Sequence, residues 1–155
     1  MLQSVDGGEP RAFLAGARSQ TNGQISPDGK WVAYASNETG DWEIYVTTFP
    51  TAQGKWQVSR GGGAEPRWRR DSQAIFYIGP GQMLTESPVT TDGSFSTAAP
   101  RNLFSIRGRA PISDSDRFSY DVAPDGKRFL VNQYVKPEQP APLTILLHAG
   151  RPPAK

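Results

Sequence analysis

The sequence predicts an all-β fold built from repeated units, and three observations support this prediction. Glycine and proline are numerous, with 16 and 14 among 155 residues, and they are spread along the chain. Such a distribution indicates many turns between short elements. A turn motif followed by an apolar stretch recurs, and no segment shows a convincing helical period. The segments between the turns are therefore expected to be strands.

The recurring turn is centred on Pro-Asp-Gly. Segments 25–34 and 122–131 contain this motif, and segment 68–77 is a degenerate copy with Arg70-Asp71-Ser72 in its place. Proline fixes its own φ, aspartate bonds to the backbone ahead of it, and glycine accepts a positive φ. The aligned aspartates are 43 and 54 residues apart. The first interval matches a propeller blade of about 40–45 residues, and the second requires an insertion, for which 85–99 and 107–117 supply turn-rich sequence.

Apolar segments around each turn complete a four-stranded unit. The strand that follows the turn is predicted at 31–34, 74–77 and 128–131. The next strand is predicted at 43–46, 82–84 and 143–147. A fourth type of strand, which precedes the next turn, is predicted at 11–14, 55–58 and 101–104. Four short antiparallel strands per unit are the blade pattern of a β-propeller. An ordinary β-sandwich is the alternative, but it would not require the repeated turn.

Several motifs resemble a known repeat: 26–30 (Ser-Pro-Asp-Gly-Lys), 36–40, 43–46, 61–68 and 123–126. They are similar to the WD40-like (PD40) repeat of TolB-type proteins and of propellers attached to bacterial signalling proteins, including Ser/Thr kinases. The resemblance extends over about residues 12–147 and implies a propeller, whose relatives bind proteins, support catalytic domains or hold active sites. The chain contains neither the His-Arg-Asp nor the Asp-Phe-Gly signature of a kinase.

The resemblance implies one partial propeller domain over residues 1–155. About three blades are expected, at 20–60, 64–106 and 117–148, with a strand at 10–16 closing a neighbouring blade. Propellers usually have four to eight blades. We therefore expect a homodimer that completes a ring of six blades and removes exposed strand edges. The alternative is a fragment whose missing blades belong to a longer parent chain.

The aligned positions before each turn hold the candidate site residues. Four residues before the turn aspartates lie Gln24, Arg67 and Asp121, and six residues before them lie Asn22, Glu65 and Ser119. If these segments are innermost strands, the six side chains converge at one channel mouth. There Arg67 would hold an anion, while Glu65 and Asp121 would bind a divalent metal or accept a proton. The alternative is that they only satisfy loop backbone and solvate the channel.

The predicted function is a binding or scaffold module for a protein or a small polar ligand at this channel mouth. The alternative is a hydrolase of phosphoesters or carboxylic esters that forms on assembly and uses a channel-bound divalent metal. In that mechanism Arg67 would stabilise the developing negative charge. The sequence requires no cofactor.

Other conspicuous residues are assigned structural roles. Most of the four tryptophans are expected to pack between blades rather than to form a ligand-stacking platform. Gly61-Gly62-Gly63 is expected to form a loop between blades, since no Gly-Lys-Ser/Thr follows it. Asp114 and Asp116 are placed in a solvated loop without EF-hand spacing. His148, the only histidine, is placed at a strand end.

Composition narrows the possible partners. The net charge is only +2, and the cluster of Arg67, Arg69 and Arg70 is too small for a nucleic-acid surface. The absence of cysteine excludes disulfides, thiol nucleophiles and cysteine zinc sites. No apolar run reaches the roughly 20 residues of a membrane span, and no signal peptide is visible at the N-terminus. A soluble chain is expected, with its compartment left open.

Overall fold

The computed structural model describes residues 1–16, 18–106 and 118–132. These residues form an all-β fold of three antiparallel sheets, with one short 3-10 turn at Pro80–Gln82. No helix in this part of the chain is long and apolar enough to cross a membrane. His148, Asp114, Asp116 and the strand predicted at 143–147 lie outside the described residues.

The first sheet is an antiparallel meander of four strands in chain order. Its strands are β1 (Gln20–Ile25), β2 (Trp31–Ser36), β3 (Glu43–Thr48) and β4 (Trp56–Gln57). Strand β2 is buried along its whole length because its aromatic, aliphatic and small residues alternate between two covered faces. The sheet therefore has apolar surface on both sides.

The second sheet repeats this order with one addition. Its strands are β5 (Ala64–Trp68), β6 (Ala74–Gly79), β7 (Met83–Thr90), β8 (Ser96–Thr97) and β9 (Arg101–Ser105), and both β8 and β9 pair with β7. The prediction of a turn-rich insertion at 85–99 is wrong for residues 85–90. Residues 85–90 instead continue β7. Residues 85–88 pair with β6, residues 85–86 also pair with β9, and Val89 and Thr90 pair with β8.

The third sheet consists of β10 (Tyr120–Val122) and β11 (Phe129–Val131) in the described residues. Their turn is the third copy of the Pro-Asp-Gly motif. Gly29, Ser72 and Gly126 occupy the same place in the three turns, with φ of 71°, 59° and 65°. Each donates its backbone N–H to the carbonyl three residues earlier, at 2.8, 2.9 and 2.8 Å. The prediction of an equivalent turn in the degenerate copy is confirmed.

Two apolar clusters join the sheets face to face in chain order. The first lies between the first and second sheets and contains Trp31, Trp68, Ile75 and Tyr77, with Trp42 and Trp56 packed against it. The second lies between the second and third sheets and contains Phe76, Ile78, Leu84, Ile106 and Tyr120. The prediction that the tryptophans pack between repeated units is confirmed.

The glycine loop between β4 and β5 is tightly packed rather than open. Gly62 donates its N–H to the Glu43 carboxylate at 3.0 Å, and Ser59 donates its hydroxyl to the same carboxylate. A Cβ at Gly63 would lie 2.8 Å from the Ser59 Cβ and 2.9 Å from the Ile44 Cγ1. The role of Gly63 is therefore close packing.

Replacing Gly63 with alanine is expected to lower the free energy of unfolding by about 1–3 kcal/mol, the usual cost of overpacking. Urea denaturation would measure this change. The matched control is Gly23→Ala, because a Cβ at Gly23 meets no atom within 4 Å. Equal stability of the two variants would contradict the packing role of Gly63.

Candidate functional site

The first strands of the first and second sheets share an unusual local geometry. The pairing register of β1 shifts between Thr21 and Gln24, and that of β5 shifts between Ala64 and Arg67. Within these bulges Asn22 and Glu65 have positive φ values of 54° and 56°. Both side chains are buried, with exposed fractions of 5% and 2%. The bulges thus place two repeat-equivalent polar residues inside the protein.

Glu65 connects the second sheet to the third. Its Oε2 accepts the backbone N–H of Ser119 at 2.5 Å, and its Oε1 accepts the Ser119 hydroxyl at 3.0 Å. The Tyr120 hydroxyl also donates to the Glu65 carbonyl at 2.9 Å. Burial raises the pKa of the Glu65 carboxyl, although the Ser119 hydrogen bonds and the nearby Arg67 act in the opposite direction. Burial also raises the pKa of Tyr120.

Gln24, Arg67 and Asp121 form a row across the three sheets. Arg67 Nη1 donates to Gln24 Oε1 at 3.3 Å, and Arg67 Nε lies 3.8 Å from Asp121 Oδ1. The guanidinium carbon of Arg67 also lies 3.8 Å from the centre of the Phe118 ring. Trp68 Nε1 donates to the Gln24 carbonyl at 3.1 Å, which fixes β1 beside β5. The structure thus brings these three aligned residues together, with Arg67 in the middle.

Two side chains of the first strands β1 and β5 have buried polar atoms without a hydrogen-bond partner among the described residues. They are both amide atoms of the Asn22 side chain and the Nε of Arg67. The Arg67 side chain is 24% exposed and that of Asp121 is 65% exposed. The Arg67–Asp121 ion pair is long and solvated, and such pairs contribute little stability. The Arg67 guanidinium group is therefore partly exposed, whereas its Nε is buried beside Asp121.

The two residues predicted to bind a metal have different surroundings. Both carboxylate oxygens of Glu65 accept hydrogen bonds from Ser119, and the Asp121 carboxylate faces Arg67. Within residues 1–16, 18–106 and 118–132, no three His, Cys, Asp or Glu side chains are grouped closely enough to hold a metal ion. Glu65 is only 2% exposed, so its remaining lone pairs face the interior. The metal-dependent hydrolase stays a prediction.

A buried carboxylate on β7 was not found from the sequence. Glu86 is 4% exposed, and its two oxygens contact Arg69 Nη1 at 3.0 Å and Arg101 Nε at 2.5 Å. Arg69 also pairs with Asp71 at 2.8 Å, and its hydrogen bond lowers the pKa of the Asp71 carboxyl. Glu86 and Arg101 are opposite each other on β7 and β9. This cross-strand pairing is the signal that could have identified the cluster.

No family model matches this chain, and no curated protein has a recognisably similar sequence. The functional proposal therefore depends on the geometry of the row around Arg67.

Proposed function

We propose that this chain is a β-propeller binding module that holds a small anionic ligand at the first strands of its sheets. Three features support the propeller: the repeated turn, the four-stranded order of the first sheet, and the stacking of successive sheets in chain order. In such a fold the first strands line a central channel. Asn22, Gln24, Glu65, Arg67, Ser119 and Asp121 all lie on or next to the first strands β1, β5 and β10.

The position of Arg67 is the observation that carries this proposal. Its planar guanidinium group suits the two oxygens of a carboxylate or phosphate, and the Phe118 ring lies 3.8 Å from its centre. Its acidic neighbour, Asp121, is mostly exposed and 3.8 Å away. An incoming anion would therefore replace a weak partner rather than a strong one.

Asn22 supports a polar ligand rather than a purely structural row. Its amide offers two donors and an acceptor, it is buried, and it has no hydrogen-bond partner among the described residues. A buried polar group without a partner costs roughly 1–3 kcal/mol. A polar ligand group that enters beside β1 and reaches this amide would recover part of this cost.

Replacing Arg67 with alanine is expected to weaken the binding of succinate or inorganic phosphate by about tenfold or more, because a hydrogen bond to a charged group contributes roughly 1.5–3 kcal/mol. Replacing Asp121 with asparagine is expected to strengthen binding about two- to fivefold, because an exposed ion pair is worth roughly 0.2–1 kcal/mol. Isothermal titration calorimetry measures both changes.

The matched control is Arg70→Ala, since Arg70 is an exposed arginine just beyond the same strand. It removes the same charge and is expected to leave the affinity unchanged. Binding that responds equally to the loss of Arg67 and of Arg70 would reflect net charge and would reject the site. The metal-dependent alternative predicts the opposite sign for Asp121→Asn, which would then weaken binding in the presence of a divalent cation.

A further inference from the structure

Because the sheets are repeats, each face of one sheet can be compared with the equivalent face of another sheet. By register, Ile25 of β1 corresponds to Trp68 of β5, because each pairs with the second residue of the following strand, Val32 and Ile75. Tyr34 corresponds to Tyr77 in the same way. Trp68, Ile75 and Tyr77 form the face of the second sheet that packs on the first sheet. Ile25, Val32 and Tyr34 thus form the equivalent face of the first sheet.

No sheet covers this equivalent face in the described residues. Val32 and Tyr34 are buried by Phe13, Leu14 and Phe49, but Ile25 is 53% exposed, whereas Trp68 is 9% exposed. A groove of about 320 Å³ runs along this face and is lined by Ile25, Val32, Tyr34, Phe13 and Phe49. The first sheet therefore presents an apolar surface of the kind that a preceding sheet covers in the rest of the protein.

The N-terminal segment covers part of this face. The strand predicted at 11–14 is wrong, since Arg11 makes only an isolated bridge with Leu2 and residues 13–14 form a bend, but Phe13 and Leu14 pack on the face. Trp56, on the last strand of the first sheet, contacts Phe95 of the second sheet with ring centres 5.7 Å apart. Phe13, which precedes the first sheet, contacts Phe49 of that sheet in the same manner at 5.6 Å. Phe49 and Phe95 each follow the third strand of their sheet. A similar tilted ring contact therefore lies on both sides of the first sheet, with a short non-strand segment on the side of Phe13.

The opposite end of the stack has the complementary open face. Leu130 of β11 corresponds to Phe76 of β6, and Phe76 packs on the next sheet through Phe129, with ring centres 5.0 Å apart. Leu130, however, is 78% exposed. Asp121, on the adjacent strand at the position paired with Leu130, is the last member of the row that begins at Gln24.

We infer, on the basis of the propeller proposed above, that a second copy of this chain packs the Leu130 face of its third sheet on the Ile25 face of the first sheet. Each copy contributes both faces, so the contact is made twice, and a ring of six sheets closes about a two-fold axis. It continues the interfaces that already join the three sheets. In the ring, Asp121 of one copy lies beside Gln24 of the other, as Arg67 lies beside Gln24 within one chain.

The full chain is expected to have a mass of about twice 16.9 kDa by sedimentation velocity. Ile25→Asp and Leu130→Asp are each expected to convert it to a monomer, because a carboxylate then faces an apolar surface. Val5→Asp is the matched control, since Val5 is fully exposed and outside both faces. Circular dichroism confirms that each variant remains folded.

A chain that carries both Ile25→Lys and Leu130→Asp is expected to recover the dimer, because the two new charges attract each other across each contact. A monomeric wild type, or a dimer that survives both single substitutions, would overturn the interface. Succinate binding is measured on the same samples, so the two proposals are tested separately. Binding through Arg67 by a monomer would leave the ligand site standing and reject only the dimer.

Discussion

Replacing Phe76 with alanine is expected to lower the free energy of unfolding by about 3–5 kcal/mol, the usual cost of removing a buried aromatic ring. Phe76 is 1% exposed. It lies in the cluster that joins the second and third sheets, where its ring meets that of Phe129 edge-on at 5.0 Å. Urea denaturation of the wild type and the variant would measure the loss.

The control for Phe76 is Phe104→Ala. Phe104 contacts the same Phe129 ring at 5.6 Å but is 37% exposed. Its loss is expected to cost less than about 2 kcal/mol, since less apolar surface leaves the interior. The Phe76 variant should also show faster amide hydrogen exchange in residues 119–131, because their sheet loses its main contact. Equal costs for the two phenylalanines, with unchanged exchange, would show that the third sheet does not depend on β6.

Replacing Glu65 with alanine is expected to lower the free energy of unfolding by about 3 kcal/mol. Two hydrogen bonds to a charged group are lost, and each contributes roughly 1.5–3 kcal/mol. Part of this loss is offset because the variant no longer has to bury a carboxylate. Glu65→Gln is the matched variant. Its amide oxygen can accept the Ser119 N–H and its amide N–H can donate to the Ser119 hydroxyl. The glutamine variant is expected to be at least as stable as the wild type at neutral pH.

The pH dependence of the free energy of unfolding separates the effect of the Glu65 charge from that of its hydrogen bonds. Because burial raises the pKa of Glu65 in the folded protein above 4.5, folding favours the protonated acid. The stabilisation from protonated Glu65 is fully present below the pKa of Glu65 in the unfolded chain. It is lost as the pH rises through the pKa of Glu65 in the folded protein. The wild type should therefore gain stability relative to Glu65→Gln as the pH falls from neutral toward 4.5. A constant difference across this range would show that Glu65 has the same pKa in both states.

Much of the fold could be predicted from the sequence because it depends on local chemistry. The turns at Gly29, Ser72 and Gly126 adopt one conformation, and the aligned aspartate marks even the copy that has serine instead of glycine. Because repeats place equal positions at equal points of successive sheets, alignment alone grouped Gln24, Arg67 and Asp121. The structure then shows these three side chains next to one another.

The remaining features depend on contacts between distant residues. Residues 85–90 contain a proline and polar side chains typical of a loop, yet pairing with β6 makes them part of a strand. Glu86 meets Arg69 and Arg101, which are 17 and 15 residues away. Cross-strand pairing could have indicated Glu86 with Arg101, but the register of that pair and the contact with Arg69 are set only when the strands align.

The sequence by itself determined the all-β class, the equivalent turns and the alignment of the candidate residues, because backbone preference and repetition are local properties. Only the tertiary structure decided what those residues contact. It directs Glu65 into the protein toward Ser119, leaves Arg67 Nε without a hydrogen-bond partner among the described residues, and places Phe13 on the first sheet. These outcomes follow from bulges, burial and the stacking of sheets, which depend on residues as many as 55 positions apart.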